Sequence, residues 1–276
     1  MPTDTDTQAA RARRFRALHA VPDLFLLPNP WDAGSARLFE SLGYAALATT
    51  SGGFAATLGR LDGSVTRDEA LAHGAEIAAA TSLPVSADME NAFADEPGGV
   101  AETIRLAAAA GLAGCSVEDY TRREDQPIYD LGLARDRIAA AAEAAQDSPE
   151  PLVLTARAEN YLHGRADLAD TITRLQAYQE AGADALYAPG LTSLDDIRTV
   201  VSSVDRPVNV LALPDGPGIP ELAAAGVRRV SVGSAFAYVA LGAAVRAARE
   251  LRDQGSYGFF ALAADGRAAI RDAFPG

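Results

Sequence analysis

Apolar and polar positions along this chain follow two rhythms. Short apolar runs of Val, Leu and Ala break off at Pro, Gly, Asn or Asp, as strands do. Between them lie longer stretches in which apolar residues recur every three or four positions, the repeat of a helix with one buried face. Strands are expected at Leu24–Leu27, Ala45–Thr49, within Leu83–Asn91, and at Gly114–Glu118, Leu152–Ala156, Ala185–Ala188, Pro207–Leu211 and Arg229–Val232. Helices are expected at Ala9–Ala20, Ala33–Leu42, from Thr66 to about Ala80, and at Gly98–Ala110, Leu131–Ala145, Asp167–Ala181, Ser193–Val204, Pro220–Ala225 and roughly Ala235–Asp253. Thr66 followed by Glu69 forms a capping box, and Gly111, Gly182 and Gly226 sit where glycine ends a helix.

Eight strand–helix alternations with short connections and no linker imply one domain over residues 1–276. The fold class expected is α/β: a parallel (β/α)8 barrel, the TIM barrel, with a lead helix at about 9–20 and a C-terminal helical segment at about 235–276. The rival is an open doubly wound sheet, but no G-x-G-x-x-G follows the first strand.

Composition narrows the function. A net charge of −13 speaks against a nucleic-acid or anionic-membrane partner. No apolar run reaches the roughly 18–20 residues needed to span a bilayer. The Arg11–Arg16 cluster, preceded by Asp4 and Asp6, reads as a solvated helix rather than a targeting peptide. A single cysteine excludes an internal disulfide and suits the cytoplasm. All 24 basic residues are arginine. Without lysine there is no Schiff-base aldolase, no pyridoxal phosphate anchor and no P-loop. His19, His73 and His163 are too scattered for a zinc motif.

In barrels the chemistry sits at the C-terminal ends of the strands. Asp62, Asp88, Glu90, Glu118, Arg157 and Glu159 all fall there. Asp88 and Glu90, two apart on an extended chain, are expected to share a face. Like charges so placed need a cation, and oxygen ligands alone favour Mg²⁺ first and Mn²⁺ second. Arg157 suits the clamping of a carboxylate. Thr50-Ser51-Gly52-Gly53 is either a loop whose N–H groups face an anion or a plain flexible loop. Gly233-Ser234 is either a phosphate site or a helix cap. Tyr120–Asp130 is either a solvated loop or a lid. Cys115, three residues before Glu118, should face the helices as a packed thiol.

These residues together resemble the isocitrate lyase/phosphoenolpyruvate mutase superfamily over nearly the whole chain. The matching segments are Asn29-Pro-Trp-Asp-Ala-Gly-Ser-Ala, Thr50-Ser51-Gly52-Gly53, Asp62, Asp88-x-Glu90-Asn91, Gly114-x-x-Val117-Glu118-Asp119 and Thr155-Ala156-Arg157. The resemblance implies Mg²⁺ on Asp88, with Asp62, Glu90 and Glu118 holding its waters. It makes Arg157, Asp62 and Glu118 the expected catalytic residues. Ser51, Gly52, Gly53 and Arg157, with Trp31 and Asn209, would bind substrate. It also implies a last helix exchanged between subunits, hence a homodimer or homotetramer.

The implied chemistry is that of a 2-oxo acid passing through an enolate. The resemblance also carries departures. The family's lyases place Lys-x-Cys-Gly-His after strand four, and its phosphonate enzymes place a lysine and an asparagine there. Tyr120–Asp130 holds none of these. Carbon–carbon bond cleavage of a small di- or tricarboxylate, of lyase or oxaloacetate-decarboxylase type, is least contradicted. The alternatives are phosphonomutase or phosphonopyruvate hydrolase chemistry, and an inactive oxo-acid-binding protein. Tyr44, Tyr120, Tyr187 and His163 are the chemically possible proton donors.

Overall fold

The computed structural model describes residues 7–148 and 150–274. A lead helix α1 (Gln8–Ala20) precedes eight strands: β1 (Phe25–Leu27), β2 (Leu47–Ala48), β3 (Val85–Asp88), β4 (Gly114–Glu118), β5 (Val153–Arg157), β6 (Ala185–Tyr187), β7 (Val208–Leu211) and β8 (Arg229–Ser231). Every pairing is parallel, in the order β1-β8-β7-β6-β5-β4-β3-β2. Across the remaining seam, Ala48 N–H donates to the Pro28 carbonyl at 3.1 Å. The architecture is therefore a nearly closed (β/α)8 barrel.

The helices that cover the strands are α2 (Ala33–Ser41), α3 (Ser51–Thr57), α4 (Arg67–Ala80), α5 (Pro97–Ala109), α6 (Leu131–Gln146), α7 (Leu168–Glu180), α8 (Leu194–Ser202), α9 (Ile219–Ala224) and α10 (Ala235–Arg249). A π-helical turn at Glu250–Gln254 then leads to α11 (Phe260–Ala273), which packs back on α2. The Thr66–Glu69 capping box opens α4 as expected, and Asp32 with Ser35 forms a second one on α2. Each supplies partners for N–H groups that a helix start leaves unmet, worth about 1 kcal/mol.

The main core lies between barrel and helices. Ile77, Ile104, Leu112, Cys115, Leu154 and Leu175 are fully buried there. Cys115 faces the helices as expected, and burial pushes its thiol up to about 12. A smaller cluster closes the N-terminal end of the barrel, where Phe15 of α1 packs with Leu27, Ala46, Ala113 and Val153. Gly114 is needed there, because a Cβ would meet the Phe15 ring at 2.7 Å. Among the described residues no helix is long and apolar enough to cross a membrane.

Two local expectations need correction. Thr50 to Gly53 is not an open loop: Thr50 caps α3, and both glycines lie in its first turn. β3 also stops at Asp88, so the extended chain does not reach Glu90. Glu90, Ala92 and Phe93 take positive φ values of 48°, 58° and 56°. The left-handed turn breaks the two-residue alternation, and Asp88 and Glu90 send their carboxylates to different partners.

Candidate active site

Strands β3 to β8 deliver most of the site. Arg157, the last residue of β5, is its hub. Its Nη1 donates to Asp88 Oδ1 at 3.0 Å, its Nε to Glu159 Oε1 at 2.8 Å, and its Nη2 lies 3.2 Å from Glu118 Oε2. Its guanidinium also sits 5.2 Å from the ring centre of Tyr187, on β6. Burial opposes the Arg157 charge, but Glu159, Glu118 and Asp88 outweigh it and hold the proton well above the usual arginine range. One cation facing three carboxylates leaves negative charge in excess. Burial raises the Glu118 carboxyl well above normal, and neighbouring Glu159, Asp88 and Asp119 add to the rise against Arg157.

Asp119, just beyond β4, fastens the layer behind. Its Oδ2 accepts from the Tyr178 hydroxyl at 2.6 Å and from Arg174 at 3.2 Å, while its Oδ1 accepts the Glu159 N–H at 2.8 Å. The Tyr129 N–H donates to its carbonyl at 2.9 Å. The base of the 120–130 loop is thus tied to strand ends. Within that loop Tyr120 bridges Ile128, and Tyr120 stacks on His163 with centroids 3.7 Å apart. Arg122 reaches across to pair with Glu90 and lies over the Phe93 ring.

Two adjoining cavities share this mouth. The inner one, about 170 Å³, runs from Asp88, Asp62, Ser51 and Arg157 down to Asn209 and Arg229. The outer one, about 450 Å³, is lined by Glu90, Glu118, Glu159 and Arg122, and again by Asp62, Ser51 and Arg157. The acids expected to converge therefore meet around one opening. Asp62 is exposed, on the loop between α3 and α4. The Ser51 N–H points at Asp88 Oδ2, 3.4 Å away. Gly52 and Gly53 line neither cavity. A Cβ on Gly52 would meet Ser234 Oγ at 2.7 Å and the Tyr238 hydroxyl at 2.9 Å, so glycine lets α3 seat against α10.

Trp31, like Gly52 and Gly53, is an expected residue that falls outside. It lines neither cavity, and its ring lies edge-on to Phe39, because the Asp32 cap turns this segment toward the α2 core. Tyr44 likewise packs on Phe39, away from the opening. Asn209 does line the inner cavity, donating to Ser231 Oγ at 2.9 Å.

The family model described as phosphoenolpyruvate phosphomutase matches residues 15–252. The chain belongs to this phosphomutase family, within the isocitrate lyase/phosphoenolpyruvate mutase superfamily. A Burkholderia cenocepacia J2315 crystal structure, assigned to the lyase/mutase group, is 55% identical with a TM-score of 0.93, covering 98% of this chain and 96% of that one. The oxaloacetate decarboxylase of Chromohalobacter salexigens is 29% identical over 262 residues, 90% of this chain and 88% of its own. A phosphonopyruvate hydrolase solved with oxalate and Mg²⁺ is 25% identical with a TM-score of 0.81, covering 91% of this chain and 88% of that one.

In this phosphomutase-family chain the donor set suits a hard cation. Glu90 is buried, and its Oε1 finds no hydrogen-bond partner among the described residues. An acceptor so placed costs free energy unless a water or cation meets it. Five acids, Asp62, Asp88, Glu90, Glu118 and Glu159, face two arginines, Arg157 and Arg122. Among the described residues no three of these groups stand close enough to grip one ion directly. That spacing fits an ion such as Mg²⁺, which takes one or two carboxylates and keeps several waters. Arg122 is one site residue that the sequence did not single out. Its signal was the density of charge in the 120–130 loop, but its partner lies 32 residues away.

Proposed function

We propose that this chain is a Mg²⁺-dependent enzyme of 2-oxo acid metabolism, with Mn²⁺ as the alternative ion, that cleaves a carbon–carbon bond of a small di- or tricarboxylate by decarboxylase or lyase chemistry. The observation that carries the reading is the excess of carboxylates around Arg157 at one barrel mouth. Asp88 would hold the metal, with Asp62, Glu90 and Glu118 orienting its waters. When bound, Mg²⁺ supplies a Lewis acid for the electrons left on the substrate's oxo group as the bond breaks. Arg157 would orient and polarise the substrate carboxylate, aided by Ser51, with Asn209 along the inner wall. Among the possible proton donors, Tyr187 lines the inner cavity and Tyr120 and His163 the outer. Burial, and then Arg157, lower the His163 pKa, which favours a neutral imidazole.

The likeness to an oxaloacetate decarboxylase over most of both chains supports this class. Exposed Tyr238, Val239, Leu241, Phe260 and Leu262 on α10 and α11 support a homodimer or homotetramer built through the C-terminal helices. A cytoplasmic placement goes with this reading, as the single cysteine suits a reducing compartment.

The test is a screen of 2-oxo and C3-branched hydroxy acids with and without EDTA. Turnover of oxaloacetate or a branched malate is expected, with loss of at least about 10³-fold on metal removal or in Asp88→Ala. Turnover that survives both treatments sinks the mechanism. Phosphonopyruvate followed by phosphorus NMR is expected to stay intact, and its conversion would favour phosphonate chemistry instead.

A further inference from the structure

The floor of the inner cavity carries the opposite charge from its mouth. Arg229, which opens β8, is 4% exposed and lines that cavity. Its Nε donates to Asn209 Oδ1 at 2.9 Å, its Nη2 to Thr155 Oγ1 at 3.0 Å, and its Nη1 to His19 Nε2 at 3.1 Å. His19 donates from Nδ1 to the Phe15 carbonyl at 2.8 Å, which leaves Nε2 as the acceptor and the ring neutral. All three partners of Arg229 are therefore uncharged. Among the described residues, none of the ion pairs includes it; Asp88, Glu118 and Glu159 pair with Arg157 instead.

A buried guanidinium without a counter-ion is expensive. Arg229 uses three of its five N–H donors here, so one remains on each terminal nitrogen. Ser231 and Tyr187 bring hydroxyls to the same cavity. Thr155 lies two residues before Arg157 on β5, facing the same way, so the floor is roughly 6–7 Å deeper than the mouth. A short-chain dicarboxylate spans such a gap, and oxalate does not.

We propose that Arg229, with Asn209 and Ser231, forms a second anion subsite on the cavity floor that takes the distal carboxylate of a 2-oxo dicarboxylate whose reacting end lies at Asp88 and Arg157. This rests on the oxo-acid reading above and narrows it to dicarboxylates. Excess acid at the mouth and excess base at the floor orient a substrate with a chelating end and a plain carboxylate end.

Calorimetry of the whole protein with Mg²⁺ tests it, using malate, lactate and oxalate. Malate and lactate share a hydroxy-acid end, and only malate has the second carboxylate. Wild-type protein is expected to prefer malate by about 10- to 100-fold. Arg229→Gln is expected to bring that ratio near one while costing oxalate far less, and Arg229→Lys to keep part of the preference. Should Arg229→Gln fail to fold, Asn209→Asp carries the test. It supplies the missing counter-ion through an existing hydrogen bond and is expected to erase the preference. A wild-type ratio near one, or a ratio that survives Asn209→Asp, overturns the proposal. If oxalate does not bind with Mg²⁺ yet the malate preference persists and is lost in Asn209→Asp, the subsite stands and the oxo-acid chemistry falls.

Discussion

Two arginines stand inside the same barrel, and their surroundings are opposite. Arg157, at the mouth, meets three carboxylates that hold its charge firmly. Arg229, at the floor, meets an amide, a hydroxyl and a neutral imidazole. Burial, opposed by Tyr187 and helped by the Arg157 charge, lowers its pKa to about 10. One end of the cavity holds more carboxylates than arginines, while the other holds an arginine with no carboxylate beside it. A protein that sought only stability would have paired the two ends. Their separation along one strand face suggests a ligand that completes both.

The largest expected effect removes the mouth arginine. Arg157→Gln leaves Asp88, Glu118 and Glu159 clustered with no cation between them. Breaking a buried ion pair from one side typically costs about 3–5 kcal/mol. That loss is expected in urea denaturation at pH 8. It should shrink toward pH 5, because protonated carboxyls need no counter-ion, and it should narrow when Mg²⁺ is added. A deficit that ignores both pH and Mg²⁺ would mean that the acids are spaced by packing alone.

At the floor, the sharper test is pH. Burial, with Arg229 and Arg16 adding, lowers the His19 pKa to about 3 although its hydrogen bond to Phe15 works against this. The unfolded chain takes up that proton near the ordinary value of about 6.5. The neutral ring therefore contributes stability in full above pH 6.5 and loses it as pH falls toward 3. His19→Gln can keep both hydrogen bonds without titrating. Between pH 7 and 4 the wild type should lose about 2–4 kcal/mol relative to this variant, measured as the difference between their urea unfolding curves. Parallel curves would show that His19 titrates normally and would weaken the case for a neutral partner to Arg229.

The sequence made the barrel legible because strand runs, helix periodicity and caps such as Thr66–Glu69 are local signals. The family motifs likewise placed Asp62, Asp88, Glu118 and Arg157 at one mouth. What escaped was set by distant contacts or by backbone that composition does not announce. Glu90, Ala92 and Phe93 are not residues that ordinarily mark a left-handed turn, so the alternation seemed to run on past Asp88. Two glycines made α3 look like a loop, although Thr50 before them is a good cap. Trp31 sat inside a site motif but turned toward Phe39. Arg229 gave a signal that went unread: an arginine and a serine two apart on a core strand put a charge inside the barrel. Its partners Asn209, Thr155 and His19 lie 20, 74 and 210 residues away, so pattern alone could not assemble them.

The smallest effect asks how tightly the floor arginine is held. Thr155 is fully buried and accepts from Arg229 Nη2. Thr155→Val keeps the shape and removes the acceptor. If Arg229 were merely a structural anchor, the lost bond to a charged group would cost about 1.5–3 kcal/mol. An arginine with spare donors facing a polar cavity can instead pass that N–H to water or to a ligand. The expected loss is therefore only about 1 kcal/mol in the free protein, and a saturating dicarboxylate should recover it, measured as a melting shift larger than that of wild type. Loss of the full amount, unrelieved by ligand, would make Arg229 a strut rather than a hand.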